Sequence, residues 1–194
     1  MNNLLRPAFM LLLVMTVITG VIYPAIVTGV AQLLFAHKAN GSVIQRNGDA
    51  LGSELIGQPF TDAKYFWARP SATSPFADNS VSSGGSNLGP TNSALTDAVK
   101  QRIDALHTAD PANTVPVPAD LVTASASGLD PHISPAAANY QIARVARERG
   151  ISTAAVAKLV ATATEGRQLG ILGEPRVNVL RLNLLLDGKQ IGIQ

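Results

Sequence analysis

The apolar positions divide this 194-residue chain into two unequal parts. Between Pro7 and His37 there is no Asp, Glu, Lys or Arg, and most of the residues are apolar. Beyond that stretch, apolar and polar residues alternate over shorter helical and strand-like periods. The hydrocarbon core of a bilayer is about 30 Å thick and needs roughly 20 apolar residues to cross it as a helix. The pattern therefore predicts one membrane-spanning helix followed by a soluble domain.

We predict a tail over 1–7, a transmembrane helix over 8–35 and a soluble domain over 36–194. A cleaved signal peptide is the alternative, but it would have an apolar core of about 7–15 residues and a small-x-small cleavage site. Here the apolar run is about twice as long, and no Ala-x-Ala precedes Asn40. The helix is thus predicted to remain as an anchor, with a kink near Pro24, which lacks a backbone donor.

Small residues recur at four-residue spacing within the predicted anchor. The two pairs are Thr16 with Gly20 and Ala25 with Gly29. Small side chains allow a second helix to approach closely in lipid, where packing has to supply the association energy. The spacing indicates a helix-packing face and hence a membrane partner.

The first half of the soluble domain reads as short strands followed by a helix. Strand-like segments occur around 42–45 and 51–56, and the aromatic run 65–67 is predicted to lie in the core. Asn92 or Ser93 is a credible cap for a helix whose buried stripe has the expected spacing. That stripe comprises Leu95, Val99, Ile103 and Leu106.

The second half contains two clearer helices and a predicted strand. Ser134 as cap, Pro135 at the first position and Gly150 as terminator predict a helix ending at Arg149. A second helix is predicted from Ser152. The alternation of Arg181 and Asn183 with leucines predicts a half-buried strand over 177–186. The fold class is therefore α+β: one membrane helix and a single small mixed domain.

A long segment between these halves, 69–93, is built mainly from turn-forming residues. Of its 25 residues, 18 are Gly, Pro, Ser, Thr or Asn, a composition that favours turns over regular structure. Loops of this length in a compact domain are often functional. This one includes Ser83-Gly84-Gly85-Ser86-Asn87, whose backbone N–H groups could cradle an anion.

Composition excludes several classes of function. The net charge is only +2 and the basic residues are scattered, so a nucleic-acid partner is not expected. There is no cysteine, which excludes disulfides and thiolate chemistry. The three histidines are widely separated, and no metal site is predicted.

Candidate chemistry is sparse. The common hydrolase, zinc-protease and nucleotide-binding motifs are all missing. Asp130 and His132 with Ser125 or Ser127 would suit a hydrolytic group, but turn and cap hydrogen bonds before the helix are the favoured interpretation.

Eight sequence blocks, taken in order, resemble the KdpC family, the C subunit of the Kdp potassium-transporting P-type ATPase. The blocks are Leu5-Arg6-Pro7-Ala8 with Gly20–Pro24, Asn40–Ser42, Leu55–Phe60, Tyr65-Phe66 with Arg69–Ala72, Ser83–Leu88, Val122–Pro135, Arg144–Ala146 and Val177–Asn183.

The resemblance implies a complex that imports potassium using ATP. The partners would be a channel-like potassium-binding subunit, a P-type ATPase subunit and a small membrane peptide, all in the bacterial inner membrane. This chain would be a non-catalytic accessory subunit with its domain on the extracytoplasmic side. It would be needed for assembly and would raise the ATP affinity of the catalytic subunit as a catalytic chaperone. It would bind no cofactor itself and would meet ATP only indirectly.

The resemblance also implies which residues contact the partners. We expect the polar block 125–132 and the 83–87 loop to face the channel-like subunit. The candidate binding residues are Arg69, Ser83, Gly84, Gly85, Ser86, Asn87, Ser125, Ser127, Asp130 and His132.

Two alternatives stay open. One is a membrane-anchored hydrolase that uses Ser127, Asp130 and His132. The other is a subunit that binds nucleotide directly through the 83–87 loop, which would require the domain to lie in the cytoplasm.

Overall fold

The computed structural model describes residues 2–46 and 48–188, which form two compact units that meet in sequence between Val43 and Ile44. The first unit is dominated by one helical run of 31 residues, Leu4–Leu34, with a mean hydropathy of 2.4 and no buried residues in its most apolar window. Its length and composition suffice to cross a membrane. The long apolar N-terminal helix expected from the sequence is confirmed.

This helical run changes its hydrogen bonding at one turn. Helix α1 (Asn2–Val17) passes into a π-helical turn (Ile18–Ile22) and then into α2 (Tyr23–Leu34). The N–H of Tyr23 donates to the carbonyl of Ile18, five residues back. Pro24 has no N–H to continue the regular ladder, and its ring crowds the preceding turn. A short helix, α3 (Ala36–Ala39), follows.

The second unit has two small sheets and four helices among its described residues. Strands β1 and β2 pair with each other, and β5 lies between β3 and β4 in an antiparallel sheet. The elements are β1 (Val43–Arg46), β2 (Asp49–Ser53), α4 (Ser93–Ala109), a 3₁₀ turn (Ala119–Leu121), β3 (His132–Ile133), α5 (Pro135–Arg149), α6 (Thr153–Ala163), β4 (Thr164–Glu165), β5 (Arg176–Asn178) and α7 (Val179–Leu186). The α+β class is confirmed.

Helix α5 begins and ends where the sequence predicted. The Oγ of Ser134 accepts a hydrogen bond from the N–H of Ala137 at 3.0 Å, and Pro135 occupies the first turn. Gly150 ends the helix with φ of 64°, a conformation that glycine adopts without steric cost. Local capping chemistry therefore sets both boundaries.

The hydrophobic core forms where α5, α6, α7 and β5 pack together. Val145 of α5, Val156 of α6 and Leu182 of α7 are completely buried. Phe66 joins them from the irregular segment before α4, which confirms that this part of the aromatic run belongs to the core. Helix α4 is capped by Asn92, and its buried residue Leu106 joins the core.

The predicted strand over 177–186 is wrong. Strand β5 ends at Asn178, whose side chain accepts a hydrogen bond from the N–H of Arg181 and so starts α7. Asn183, expected to face solvent, is only 2% exposed. Its Oδ1 accepts from the N–H of Phe66 at 2.9 Å, and its Nδ2 donates to the carbonyl of Phe66 at 3.0 Å. A polar residue between leucines suggests the alternating pattern of a half-buried strand. Here the asparagine is instead buried in a helix, because its hydrogen bonds to Phe66 satisfy its polar groups in the core.

Candidate interaction site

The turn-rich segment after Arg69 folds back onto the polar block that precedes β3. One backbone donor and several side-chain donors make the connection. The N–H of Gly84 donates to the carbonyl of Ser127 at 2.9 Å, and the Oγ of Ser83 donates to the same carbonyl at 3.0 Å. The structure thus brings together the two segments that were predicted to act together.

The glycines in these segments allow the two backbones to approach. A Cβ on Gly85 would lie 2.9 Å from the carbonyl oxygen of Ala126, and one on Gly128 would lie 2.6 Å from that of Gly84. Gly128 also has φ of 68°. A side chain at either position would force the segments apart.

Ser71 is a contact that the sequence reasoning did not identify. Its Oγ donates to the carbonyl of Gly128 at 2.7 Å and accepts from the N–H of Asp78 at 2.9 Å. Burial raises the pKa of the Asp78 carboxyl. Ser71 lies in the Arg69–Ala72 block that carried the family resemblance, which is the one signal that pointed to it.

Asp130 is the centre of the site. Its Oδ2 accepts from Nη1 of Arg69 at 3.0 Å, and its Oδ1 accepts from the N–H of His132 at 3.0 Å, with Nδ1 of His132 at 3.3 Å. Burial alone would raise the pKa of Asp130, but the hydrogen bonds from His132 and Arg69 outweigh it and hold that pKa below its usual range. The three side chains are 22–30% exposed, so a partner can still reach them.

These three residues line one side of a polar groove of about 550 Å³. We call it the polar groove; its other walls come from the 3₁₀ turn and from the segment that leads into β5. Asp120 lies in the wall and accepts a hydrogen bond from the N–H of Ser134 at 2.7 Å. The remaining charged residues of the lining are Glu174 and Arg176. Both signs of charge are therefore present, as in a surface suited to polar recognition.

In the alternative hydrolytic group, neither serine is hydrogen-bonded to the histidine. The Oγ of Ser127 accepts from the N–H of Leu129, and Ser125 is 5% exposed. Across residues 2–46 and 48–188, no hydrogen bond joins either serine to His132, and no group of three or more metal-ligating side chains occurs. The geometry offers an ion-paired turn rather than an activated nucleophile.

The 83–87 loop is not shaped as an open anion cradle. The N–H of Gly84 is already used by Ser127, and Gly85 packs against Ala126. Ser86 and Asn87 are exposed, and Asn87 has φ of 52°. The loop therefore presents side chains outward while its central glycines hold it to the domain.

The four small residues of the membrane helix are exposed on its surface. Among the described residues of this chain, none would lie within 4 Å of a Cβ added to Gly20 or Gly29. Thr16 and Ala25 complete the set, and Gly20 lies within the π-helical turn. Their role in helix packing stays a prediction.

Comparisons with known proteins agree with one another along almost the whole chain. A family model described as the K+-transporting ATPase, c chain, matches residues 5–188. A protein from Methylococcus capsulatus named potassium-transporting ATPase KdpC subunit is 65% identical over 187 residues, 96% of this chain and 98% of its own length. Proteins with the same name from Sorangium cellulosum and Dechloromonas aromatica are 61% and 60% identical, over 95% and 96% of this chain and 97% and 98% of their own lengths.

Proposed function

Because the chain belongs to the KdpC family of potassium-transporting ATPase subunits, we propose that it is a non-catalytic subunit that assembles the complex through its polar groove. The partner across the groove is the channel-like potassium-binding subunit. The P-type ATPase subunit and the small membrane peptide complete the complex, and the membrane helix packs against a helix of one of these partners.

The observation that carries this proposal is the pre-formed groove around Asp130. Two segments far apart in sequence are joined by the hydrogen bond from the N–H of Gly84 to the carbonyl of Ser127, and the side chain of Arg69 pairs across them with Asp130. Ordering such a surface before binding lowers the entropy lost on association. A surface that is already ordered, charged with both signs and partly exposed favours a stable subunit contact.

The contact residues that we propose are the partly or fully exposed groups of this surface. Arg69, Asp130 and His132 contribute charge, and Ser86 and Asn87 contribute exposed hydrogen-bonding groups. Ser83, Gly84, Gly85 and Ser127 act differently, because their contacts hold the two segments together. Ser125 is buried, and its carbonyl accepts from the N–H of Gly128 within the polar block. We infer that this second group of residues shapes the surface rather than touches the partner.

The proposed effect on ATP follows from assembly. If the domain lies on the extracytoplasmic side of the bacterial inner membrane, it cannot touch cytosolic ATP. A rise in the ATP affinity of the P-type subunit then has to pass through subunit contacts that differ between two states of the complex. We propose that this chain is a catalytic chaperone in that sense.

Purification from potassium-starved cells tests the proposal. The tagged chain, extracted in a mild detergent, is expected to bring with it a P-type ATPase and a channel-like membrane protein, identified by mass spectrometry. Alanine variants at Arg69, Asn87 and Asp130 are expected to recover less of both and to raise the KM for ATP of the remaining complex. Recovery of the chain alone and folded would contradict the proposal.

Glu148→Ala supplies a matched control. Glu148 is also a carboxylate with an arginine partner, Arg147 at 3.2 Å, but it lies on α5 outside the polar groove. Glu148→Ala is expected to leave the recovery of the partner subunits and the KM for ATP unchanged. Equal losses for Glu148→Ala and Asp130→Ala would show that the groove has no special role.

Protease treatment of intact cells, followed through a C-terminal tag, tests sidedness separately. Digestion from outside is expected. Protection would place the domain in the cytoplasm and revive direct nucleotide binding by the 83–87 loop.

A further inference from the structure

The middle of the connection between β4 and β5 is an exposed apolar turn that has no role in the proposed function. Leu169 is 88% exposed, Ile171 is 74% exposed and Leu172 is 55% exposed. Residues 169–172, which we call the apolar tip, contain no charged, polar or aromatic side chain. Three large aliphatic groups at the end of one turn need an apolar environment to cover them.

Three of the four N–H groups of the apolar tip are paired within the turn. The N–H of Gln168 donates to the carbonyl of Leu172 at 2.8 Å, and the N–H of Leu172 donates back at 2.9 Å. The N–H groups of Gly170 and Ile171 donate to the carbonyls of Arg167 and Gln168. Unpaired backbone groups are the main obstacle to placing a turn in lipid, and this turn has paired four of its N–H groups.

The charges at the base of the tip are also paired. Arg167 lies 2.8 Å from Glu174, and Arg176 lies 3.0 Å from Glu165. Each of the two pairs is neutral, and all four residues lie within ten positions of the apolar tip in the sequence. The connection therefore has apolar side chains in its central turn and neutral ion pairs on both sides of that turn. This order matches the change from acyl chains to headgroups in a bilayer.

We propose that the apolar tip inserts into the interfacial layer of the membrane that the chain itself crosses. The bilayer is available because nine residues separate the end of the apolar helix at Leu34 from the second unit at Ile44. At about 3.5 Å per residue, this connection is no longer than about 30 Å. A tether of that length keeps the domain at an effective concentration in the millimolar range, so even weak insertion is populated.

A protein partner is the competing occupant, and the composition of the tip disfavours it. Binding hot spots in protein interfaces are enriched in Trp, Tyr and Arg, and leucine is under-represented. The tip offers only leucine and isoleucine, with its nearby arginines already paired. Aliphatic side chains that dip below the headgroups are typical of interfacial membrane contacts.

Site-directed fluorescence tests the proposal on the full chain. Because the chain has no cysteine, Ile171→Cys provides a single site for a dye that responds to polarity. Val81→Cys, at a 93% exposed valine in another loop, is the matched control. Both are reconstituted in nanodiscs, with and without lipids that carry a nitroxide quencher in their acyl chains.

The expected result is a blue-shifted emission at residue 171 that the nitroxide lipids quench, with unshifted and unquenched emission at residue 81. Water-like, unquenched emission at residue 171 would overturn the proposal. A blue shift that occurs only in the assembled potassium-transporting complex, without quenching by lipid, would also overturn it and assign the tip to a protein partner.

Discussion

Two polar clusters in the second unit hold irregular segments in place, yet they differ in burial. The first comprises Gln141, Arg144 and Asn183, each at most 2% exposed, and it fixes the aromatic run around Phe66. The second is the trio of Arg69, Asp130 and His132 in the polar groove, whose side chains are 22–30% exposed. The two clusters use similar hydrogen bonds. The buried one stabilises the fold, whereas the partly exposed one leaves polar groups on the surface that a partner can reach.

The buried cluster is centred on Arg144. Its guanidinium donates to the carbonyls of Ala63 and Tyr65 and to Oε1 of Gln141, and it stacks on the ring of Trp67 at 4.5 Å. Burial lowers its pKa to about 10. The charge is balanced by carbonyl oxygens and an aromatic face, because no carboxylate forms an ion pair with it among the described residues.

Loss of Arg144 is expected to have the largest effect on stability. Arg144→Ala leaves buried carbonyls unpaired and removes the contact with Trp67, so the free energy of unfolding should fall by about 3–5 kcal/mol. Urea denaturation of the full chain in detergent measures this. Arg167→Ala, which breaks an exposed pair, should cost about 1 kcal/mol or less. Equal losses would contradict the structural role of Arg144.

Asn183→Ala is expected to have the next largest effect. The N–H and carbonyl of Phe66 would both lose their partner in a buried site, which costs about 2–3 kcal/mol. The same denaturation experiment applies. Asn139→Ala, at an exposed position on α5, should change stability by no more than about 0.5 kcal/mol.

Asp130→Asn should separate contact from stability. The lost ion pair with Arg69 is about a quarter to a third exposed, so the cost to folding should be about 1 kcal/mol. Recovery of partner subunits should fall much more, because the charge of the groove changes. If Asp130→Asn lost as much stability as Asn183→Ala and still recovered the partner subunits in full, the distinction between the two clusters would be contradicted.

The pH dependence of the same residue sharpens this distinction. Its folded pKa lies below the ordinary value, so its carboxylate stabilises the fold above the unfolded pKa of about 3.9, and this contribution is lost as pH falls through the folded pKa. The stability difference between the wild-type chain and Asp130→Asn should thus be present at neutral pH and vanish in acid. A difference that grew in acid would contradict the lowered pKa.

Tyr140→Phe should have the smallest effect. The hydroxyl of Tyr140 is buried and has no hydrogen-bond partner among the described residues, and burial raises its pKa. Removing it should leave the free energy of unfolding unchanged or raise it by about 1 kcal/mol. A clear loss of stability in urea denaturation would mean that the hydroxyl does have a partner.

Prediction from sequence succeeded where the signals were local. Ser134, Pro135 and Gly150 lie at the ends of one helix, and each acts on its neighbours in the chain, so both ends of α5 followed from capping rules. The apolar run of the membrane helix is equally local. Both elements are therefore recognised from short stretches of residues.

The parts that were missed depend on distant partners. Asn183 bonds to a residue 117 positions away, and this contact converts an apparent strand position into a buried helical one. Arg69 meets Asp130 across 61 positions. The family resemblance pointed to both segments, but spacing could not show that they join or that Glu174 and Arg176 complete the groove.

Photocrosslinking from the polar groove tests the central claim most directly. A photoreactive residue at Ala119, which is exposed and lines the groove, is compared with one at Ala154, which is exposed on α6, in potassium-starved cells. The account predicts a crosslink from residue 119 to the channel-like subunit and none from residue 154. No crosslink from residue 119 in cells where the complex assembles, or equal crosslinking from both positions, would contradict it.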